Sequence, residues 1–280
     1  MRLLMEPSSS VLQVNGLQIK VKTDREWLPL VHGIDFELKP GRVLGLVGES
    51  GLRQNGHFFG ASAAAGPEDD RHRRKHPAGG RELNGLGAEP MRRIRGKEIA
   101  LIMQNPMNAF TPVRTLGAQL VETIRAHTGL GKKEALDLAA ASLLDMNLPD
   151  PRMLMRQYPF ELSGGMLQRV MIALTICLRP SVIIADEPTT ALDAVNQLQV
   201  LRQLSRIRSE YGVSILLISH DLGVISELAD EVAVMKQGRI VEHADVFELF
   251  DHPQQEYTKK LLQARLTIPV HERKKEFVLL

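Results

Sequence analysis

Apolar residues fall at alternate positions in VHGIDFEL (31–38), where Ile34, Phe36 and Leu38 share one face. That period of two predicts a strand with one buried side. VLQVNGLQIKV (11–21) alternates more loosely and predicts another strand. KPG (39–41) signals a turn, and VLGLVG (43–48) predicts a short buried strand ending in glycine. Unbroken apolar runs in IALIMQ (99–104), VIIAD (182–186) and ILLIS (215–219) predict three more buried strands. Between them the period lengthens to that of a helix. Leu116, Leu120 and Ile124, then Ala135, Leu138, Leu143 and Leu144, predict helix across 115–147. SGGMLQRVMIALTICL (163–178), residues 191–210 and LGVISELA (222–229) predict further helices. EVAVMKQGRIVE (231–242) reads as a hairpin around Gly238, and the tail from about 245 as helical, then polar. Alternating buried strands and helices predict an α/β fold with a mainly parallel sheet covered on both faces.

Residues 52–80 break this pattern. ASAAAGPEDDRHRRKHPAGG has no periodicity and carries a basic cluster at Arg71–His76. A charge run is ordinarily a solvated loop, yet so long a structureless loop is unusual within a compact domain.

Composition narrows the class without naming it. The 280 residues can bury a substantial core, and 44% hydrophobic with 24% charged is a globular balance. A net charge of +2 gives no argument for nucleic acid or a membrane surface. The one cysteine, Cys177, excludes an internal disulfide framework or a cysteine metal cluster and fits a reducing compartment. No apolar run reaches the roughly 18 residues that span a bilayer, and MRLLMEPSSSVLQV at the N-terminus has too short an apolar stretch to be expected as a secretory signal.

Five stretches carry candidate chemistry. VIIADEP (182–188) ends a buried strand in two carboxylates, and ligands of open α/β sheets bind at that end. Asp186 is suited to Mg2+ and Glu187 to polarising a water as general base; a capped strand end with solvated acids is the plain alternative. LSGGMLQR (162–169) opens a helix with Ser163 as N-cap, and Gly164 and Gly165 allow an anion close to the backbone N–H groups. ILLISHD (215–221) ends at His220, which could meet a γ-phosphate or the attacking water. Gln104, at the end of IALIMQ, is an amide suited to Mg2+ or water. The fifth, GLVGESGLRQNGHFFG (45–60), starts as a phosphate loop, G-x-x-x-x-G-K-[ST]. Gly48, Glu49, Ser50 and Gly51 fit; Arg53, Gln54 and Asn55 stand where Gly, Lys and Ser or Thr belong.

In their order and spacing, the GESG loop, Gln104, LSGG, ADE, ALD (191–193) and SH (219–220) resemble the ATP-binding subunit of ABC transporters over nearly the whole chain outside 52–80. The resemblance implies a P-loop NTPase-type sheet, an N-terminal antiparallel β part and an inserted α-helical subdomain at 105–160. It implies an ATP-binding domain over 9–250 and a C-terminal tail over 251–280. Gln104 then matches the Q-loop, Ser163-Gly164-Gly165 the signature, Asp186 and Glu187 the Walker B pair, Asp193 the D-loop and His220 the switch histidine. Met166 departs from the commoner Gln of the signature. Trp27 lies about where the family stacks an aromatic on adenine, although a Trp at a strand end can simply pack. ATP and Mg2+ are the implied cofactors. The implied partners are a second ATPase subunit, the same or different, integral membrane permease subunits and, indirectly, an extracytoplasmic substrate-binding protein, with no nucleic acid. The implied place is peripheral, on the cytoplasmic face of the membrane. LIMQNPMNAFTPVRTLGAQLVE (101–122), YPFELSGGMLQRVMIA (158–173) and IIADEPTTALD (183–193) look like importers of nickel, metal chelates and di- or oligopeptides. The lack of a longer, Cys-rich C-terminus favours the nickel type. A two-cassette translation or repair factor fits less well, and a catalytically dead ABC-fold protein or pseudogene product remains the other reading.

The broken loop has a specific explanation. Residues 52–60 can be encoded CTG CGG CAA AAC GGT CAC TTC TTT GGC. One base later the same nucleotides read Cys-Gly-Lys-Thr-Val-Thr-Ser-Leu, which completes the loop after Gly51. Continued to Gly79, the shifted frame gives an apolar helix end, a turn and a strand, and rejoins the chain before Glu82. The expectation is a frameshift over 52–80, an irregular 52–80 in the chain as written, and little ATPase activity. A divergent loop in a degenerate ATPase is the alternative.

Overall fold

A computed structural model describes residues 10–22, 26–48, 77–78, 81–83, 86–190 and 192–264. In chain order these form β1 (Leu12–Lys22), β2 (Trp27–Leu38), β3 (Val43–Gly48), β4 (Pro77–Ala78), β5 (Arg81–Glu82), α1 (Ala88–Ile94) and β6 (Ile99–Ile102). Then come α2 (Leu116–His127), α3 (Lys132–Asp145), the one-turn α4 (Pro151–Leu154), α5 (Gly164–Cys177), β7 (Val182–Asp186), α6 (Ala194–Tyr211) and β8 (Ser214–Ile218). The chain closes with α7 (Leu222–Leu228), β9 (Glu231–Lys236), β10 (Arg239–Asp245), α8 (Val246–Asp251) and α9 (Glu256–Gln263). It divides into two compact units, Met1–Met91 with Ser214–Leu280, and Arg92–Val213.

The first unit holds an antiparallel sheet in the order β2-β1-β4-β5 and the strands β10-β9-β3-β8 of a mixed sheet. β3 pairs in parallel with both β8 and β9, and β9 antiparallel with β10. Leu44, Leu46 and Val47 of β3 and Ile215 to Leu217 of β8 are buried, as a strand covered on both faces requires. The β9–β10 turn places Gln237 at φ 48° and Gly238 at φ 72°. This left-handed pair suits the twist of a two-residue hairpin. The Gly238 carbonyl accepts from the His32 N–H of β2 at 2.9 Å. The two-residue strand Pro77–Ala78, bridged to Leu12, corrects the expectation of irregularity at those positions. Local pairing with Arg81–Glu82 gives its backbone groups partners. The remainder of 52–80 lies outside the described residues.

The second unit pairs β6 and β7 in parallel and packs helices beside them. Leu116, Leu120 and Ile124 are the buried stripe of α2. The strand predicted over 99–104 stops at Ile102, because Asn105 caps a 3-10 turn with Pro106 at its start. The helix predicted across 115–147 is two. The Thr128 hydroxyl donates back to the Ile124 carbonyl at 2.7 Å, and Glu134 accepts from the Gly131 N–H at 2.7 Å, so α2 ends and α3 begins within four residues. The helix predicted from 191 starts at Ala194, after its cap at Asp193.

Two side-chain devices fix this unit. Gln119 of α2 accepts from the Thr111 N–H at 2.7 Å and donates to the carbonyls of Thr111 and Arg114 at 3.0 and 2.9 Å, which latches the loop carrying Val113. The C-terminus of α3 meets three donors from other helices. Gln203 reaches the Met146 carbonyl, Arg206 that of Asp145, and Arg169 that of Asn147. They satisfy carbonyls that a helix end leaves without partners.

Candidate nucleotide site

In the second unit the parallel register sets Ile102 opposite Ala185. Gln104 and the Asp186–Glu187 pair therefore follow the C-terminal ends of neighbouring strands. Asp186 is buried, at 3% exposure. Burial, and secondarily the charge of Glu187, pushes its carboxyl up to about 7. A carboxyl so disfavoured as an anion, beside a second carboxylate, is the setting that a divalent cation relieves. The chemistry of this pair suits Mg2+, for which Asp186 is the candidate holding group and Gln104 a candidate further oxygen donor. Glu187 sits at φ 49°, a left-handed conformation uncommon outside glycine. Its carboxylate accepts from the Thr190 hydroxyl at 2.6 Å, and its carbonyl from the Thr190 N–H at 3.2 Å. The turn thus orients the candidate base with its own side chain.

The helix α5 begins as the sequence predicts. Ser163 Oγ accepts from the Met166 N–H at 3.3 Å. A Cβ at Gly164 would meet open space, so the N-terminal face of that turn is accessible. At Gly165 a Cβ would lie 3.1 Å from Cγ and Oδ1 of Asn196, so glycine there makes room for a neighbour. Asp193 caps α6, accepting from the Asn196 N–H at 2.9 Å and from its Nδ2. These bonds from the Asn196 backbone and side chain hold the Asp193 carboxyl below its usual value.

In the first unit β3 and β8 run parallel with Leu46 opposite Ile218, so Gly48 and His220 lie at the same end of adjacent strands. A Cβ on Gly48 would fall 1.9 Å from the Met235 carbonyl oxygen, a position closed to any other residue without movement of β9. Glu49, Ser50 and Gly51 lie outside the described residues. His220 sits inside a turn in which Ser219 Oγ accepts from the Asp221 N–H at 3.0 Å, and Asp221 caps α7. Trp27 opens β2, in the other sheet of this unit, and is 56% exposed.

Sequence reasoning missed Thr190 and Asn196. Each lies three residues after a carboxylate, the spacing of a capping pair, and that signal was present in EPTT and DAVN.

The family described as ABC transporter matches residues 73–190, a span that enters the 52–80 stretch set outside the resemblance above. A protein of Brucella abortus (strain 2308), provisionally named for peptide import ATP binding, is 40% identical over 260 residues, covering 92% of this chain and 77% of that one. The glutathione import ATP-binding protein of Salmonella typhimurium is 39% identical over 266 residues, and this chain spans 42% of its length. Among solved structures, a dimeric ATP-binding cassette in a post-hydrolysis state with ADP and Pi superposes with a TM-score of 0.72 at 21% identity, over 84% of this chain and 98% of that one. A part of the ABC transporter complex cbiONQ from Clostridium perfringens gives 0.70 at 20% identity, over 95% and 100%.

Proposed function

The chain belongs to the ATP-binding proteins of ABC transporters and is the ATPase subunit of an importer, and from that premise we propose what it carries and how its residues act. The relatives named for peptide and glutathione import favour a short peptide over nickel as cargo. The observation that carries the nucleotide chemistry is the buried Asp186 beside Glu187 at the end of β7. Asp186 would hold Mg2+, which when bound would supply charge neutralisation on the phosphates. Glu187, set by Thr190, takes the proton of the attacking water. Gln104 holds water at the end of β6, His220 meets a terminal phosphate, and Ser163, Gly164 and Gly165 offer backbone N–H groups to an ATP bound by a second subunit. Trp27 stacks on the adenine, and Gly48, at the end of β3, lies where the phosphates are bound.

Docking on a permease at the cytoplasmic face of a membrane accounts for an exposed apolar group in the second unit. Tyr158 and Phe160 stack at 5.5 Å with Phe160 63% exposed, and Val113 is 80% exposed on its latched loop. Among the described residues no helix is long and apolar enough to cross a membrane.

Gln54 offers no positive charge to the phosphates and Asn55 no hydroxyl to Mg2+, so the chain as written turns ATP over negligibly. The test compares ATP turnover of this chain with one whose codons 52–79 are read one base later. Turnover only in the second is expected. Equal turnover in both refutes the reading of Gln54, and turnover in neither refutes the ATPase assignment. Sequencing the gene checks the frameshift directly.

A further inference from the structure

We infer that Asn196 is a positioning residue that ties the Asp193 carboxylate to the signature turn at Gly165. The inference rests on the functional reading above, in which that turn serves ATP held by a second subunit. Its side-chain amide does two things at once. Nδ2 donates to Asp193 Oδ2, while Cγ and Oδ1 lie against the bare Cα of Gly165, within 3.1 Å of where a Cβ would be. The backbone N–H of Asn196 also donates to Asp193 Oδ1, so the carboxylate is gripped by both oxygens. A doubly bonded carboxylate fixes the amide plane, and the amide plane fixes how near α5 can begin.

A second side chain holds the turn as well. Arg169 Nε donates to the Gly165 carbonyl at 3.3 Å, and Arg169 also reaches the Asn147 carbonyl beyond α3. Gly165 therefore meets two polar side chains, one answering to Asp193 and the other to the end of α3. A shift of the Asp193 segment is transmitted to the signature turn by contact through Asn196, within one chain and without nucleotide.

Amide hydrogen exchange on the nucleotide-free full chain tests this separately from any ATP chemistry. The reporters are the Met166 and Leu167 N–H groups, which are bonded to Ser163 Oγ and the Ser163 carbonyl. Asp193→Asn keeps a capping oxygen but removes the acceptor of Asn196 Nδ2; Asn196→Leu removes the amide. Each is expected to speed exchange at Met166 and Leu167 about tenfold, the loss of one charge-assisted hydrogen bond. The double variant Asp193→Asn with Asn196→Leu is expected to be no faster than either single one. Asp193→Asn with Asn196→Asp reverses donor and acceptor and is expected to restore slow exchange. Unchanged exchange in either single variant, additive effects in the double, or equal acceleration at Ile183 and Ile184 of β7 would each overturn the inference.

Discussion

Replacing Asp186 by Asn removes a charge that the folded chain holds at a cost, and the size of that cost depends on pH in a calculable way. Its carboxyl is raised to about 7 in the fold, against about 3.9 in an unfolded chain. Between those values the folded state keeps a proton that the unfolded state has released, so stability falls as pH rises through the window and the penalty is complete above it. Linkage gives a penalty of about 1.5 kcal/mol at pH 5 and about 4 kcal/mol at pH 8. Asp186→Asn abolishes the penalty but adds its own packing and hydrogen-bond cost, which does not vary with pH. The difference of differences isolates the charge: relative to the parent, the variant gains about 2–3 kcal/mol more at pH 8 than at pH 5. Urea unfolding of both chains at the two pH values, in chelator to exclude divalent cations, measures it. A gain equal at both pH values, or larger at pH 5, refutes the assigned state of Asp186.

Two further substitutions follow from close approaches. Gly48→Ala drives a Cβ into the Met235 carbonyl, and thermal unfolding should show a loss of about 1–3 kcal/mol or more; an unchanged transition would show that β9 moves freely. Gln119→Leu strips three bonds from the 111–114 loop, for about 1–3 kcal/mol of stability. Limited trypsin digestion should then cut after Arg114, which the parent resists.

The buried strands were legible because a sheet covered on both faces needs unbroken apolar runs, and VIIAD and ILLIS have little else to be. The cap at Ser163 was legible for a similar reason, since it uses only its own next turn; that at Asp193 was not, because ALD reads as continuous with the helix that follows it. The break at 128–131 was overlooked because Leu120 to Leu144 keep helical spacing across it, while Thr128 and Glu134 end one helix and start the next by local bonds. Nothing in the segment around Gly48 announces the Met235 carbonyl, which arrives from a strand far along the chain. The burial that shifts Asp186 is likewise a sum over the fold, although its position after VIIA marked it as a candidate. Thr190 and Asn196 were hidden for a different reason: their partners are near in sequence, but their side chains also have ordinary surface explanations.

The donors at the end of α3 set an order of events during synthesis. Asp145 and Arg206 are 61 residues apart. A ribosome adding about 5–20 residues per second delivers Arg206 about 3–12 s after Asp145. Gln203, 57 residues beyond Met146, arrives at nearly the same moment. Throughout that interval α2 and α3 have left the ribosome's active centre while the last carbonyls of α3 have only water or Arg169 to bond. The nascent helical pair therefore waits, frayed at one end, for a helix that has not yet been made, and its completion marks the arrival of α6.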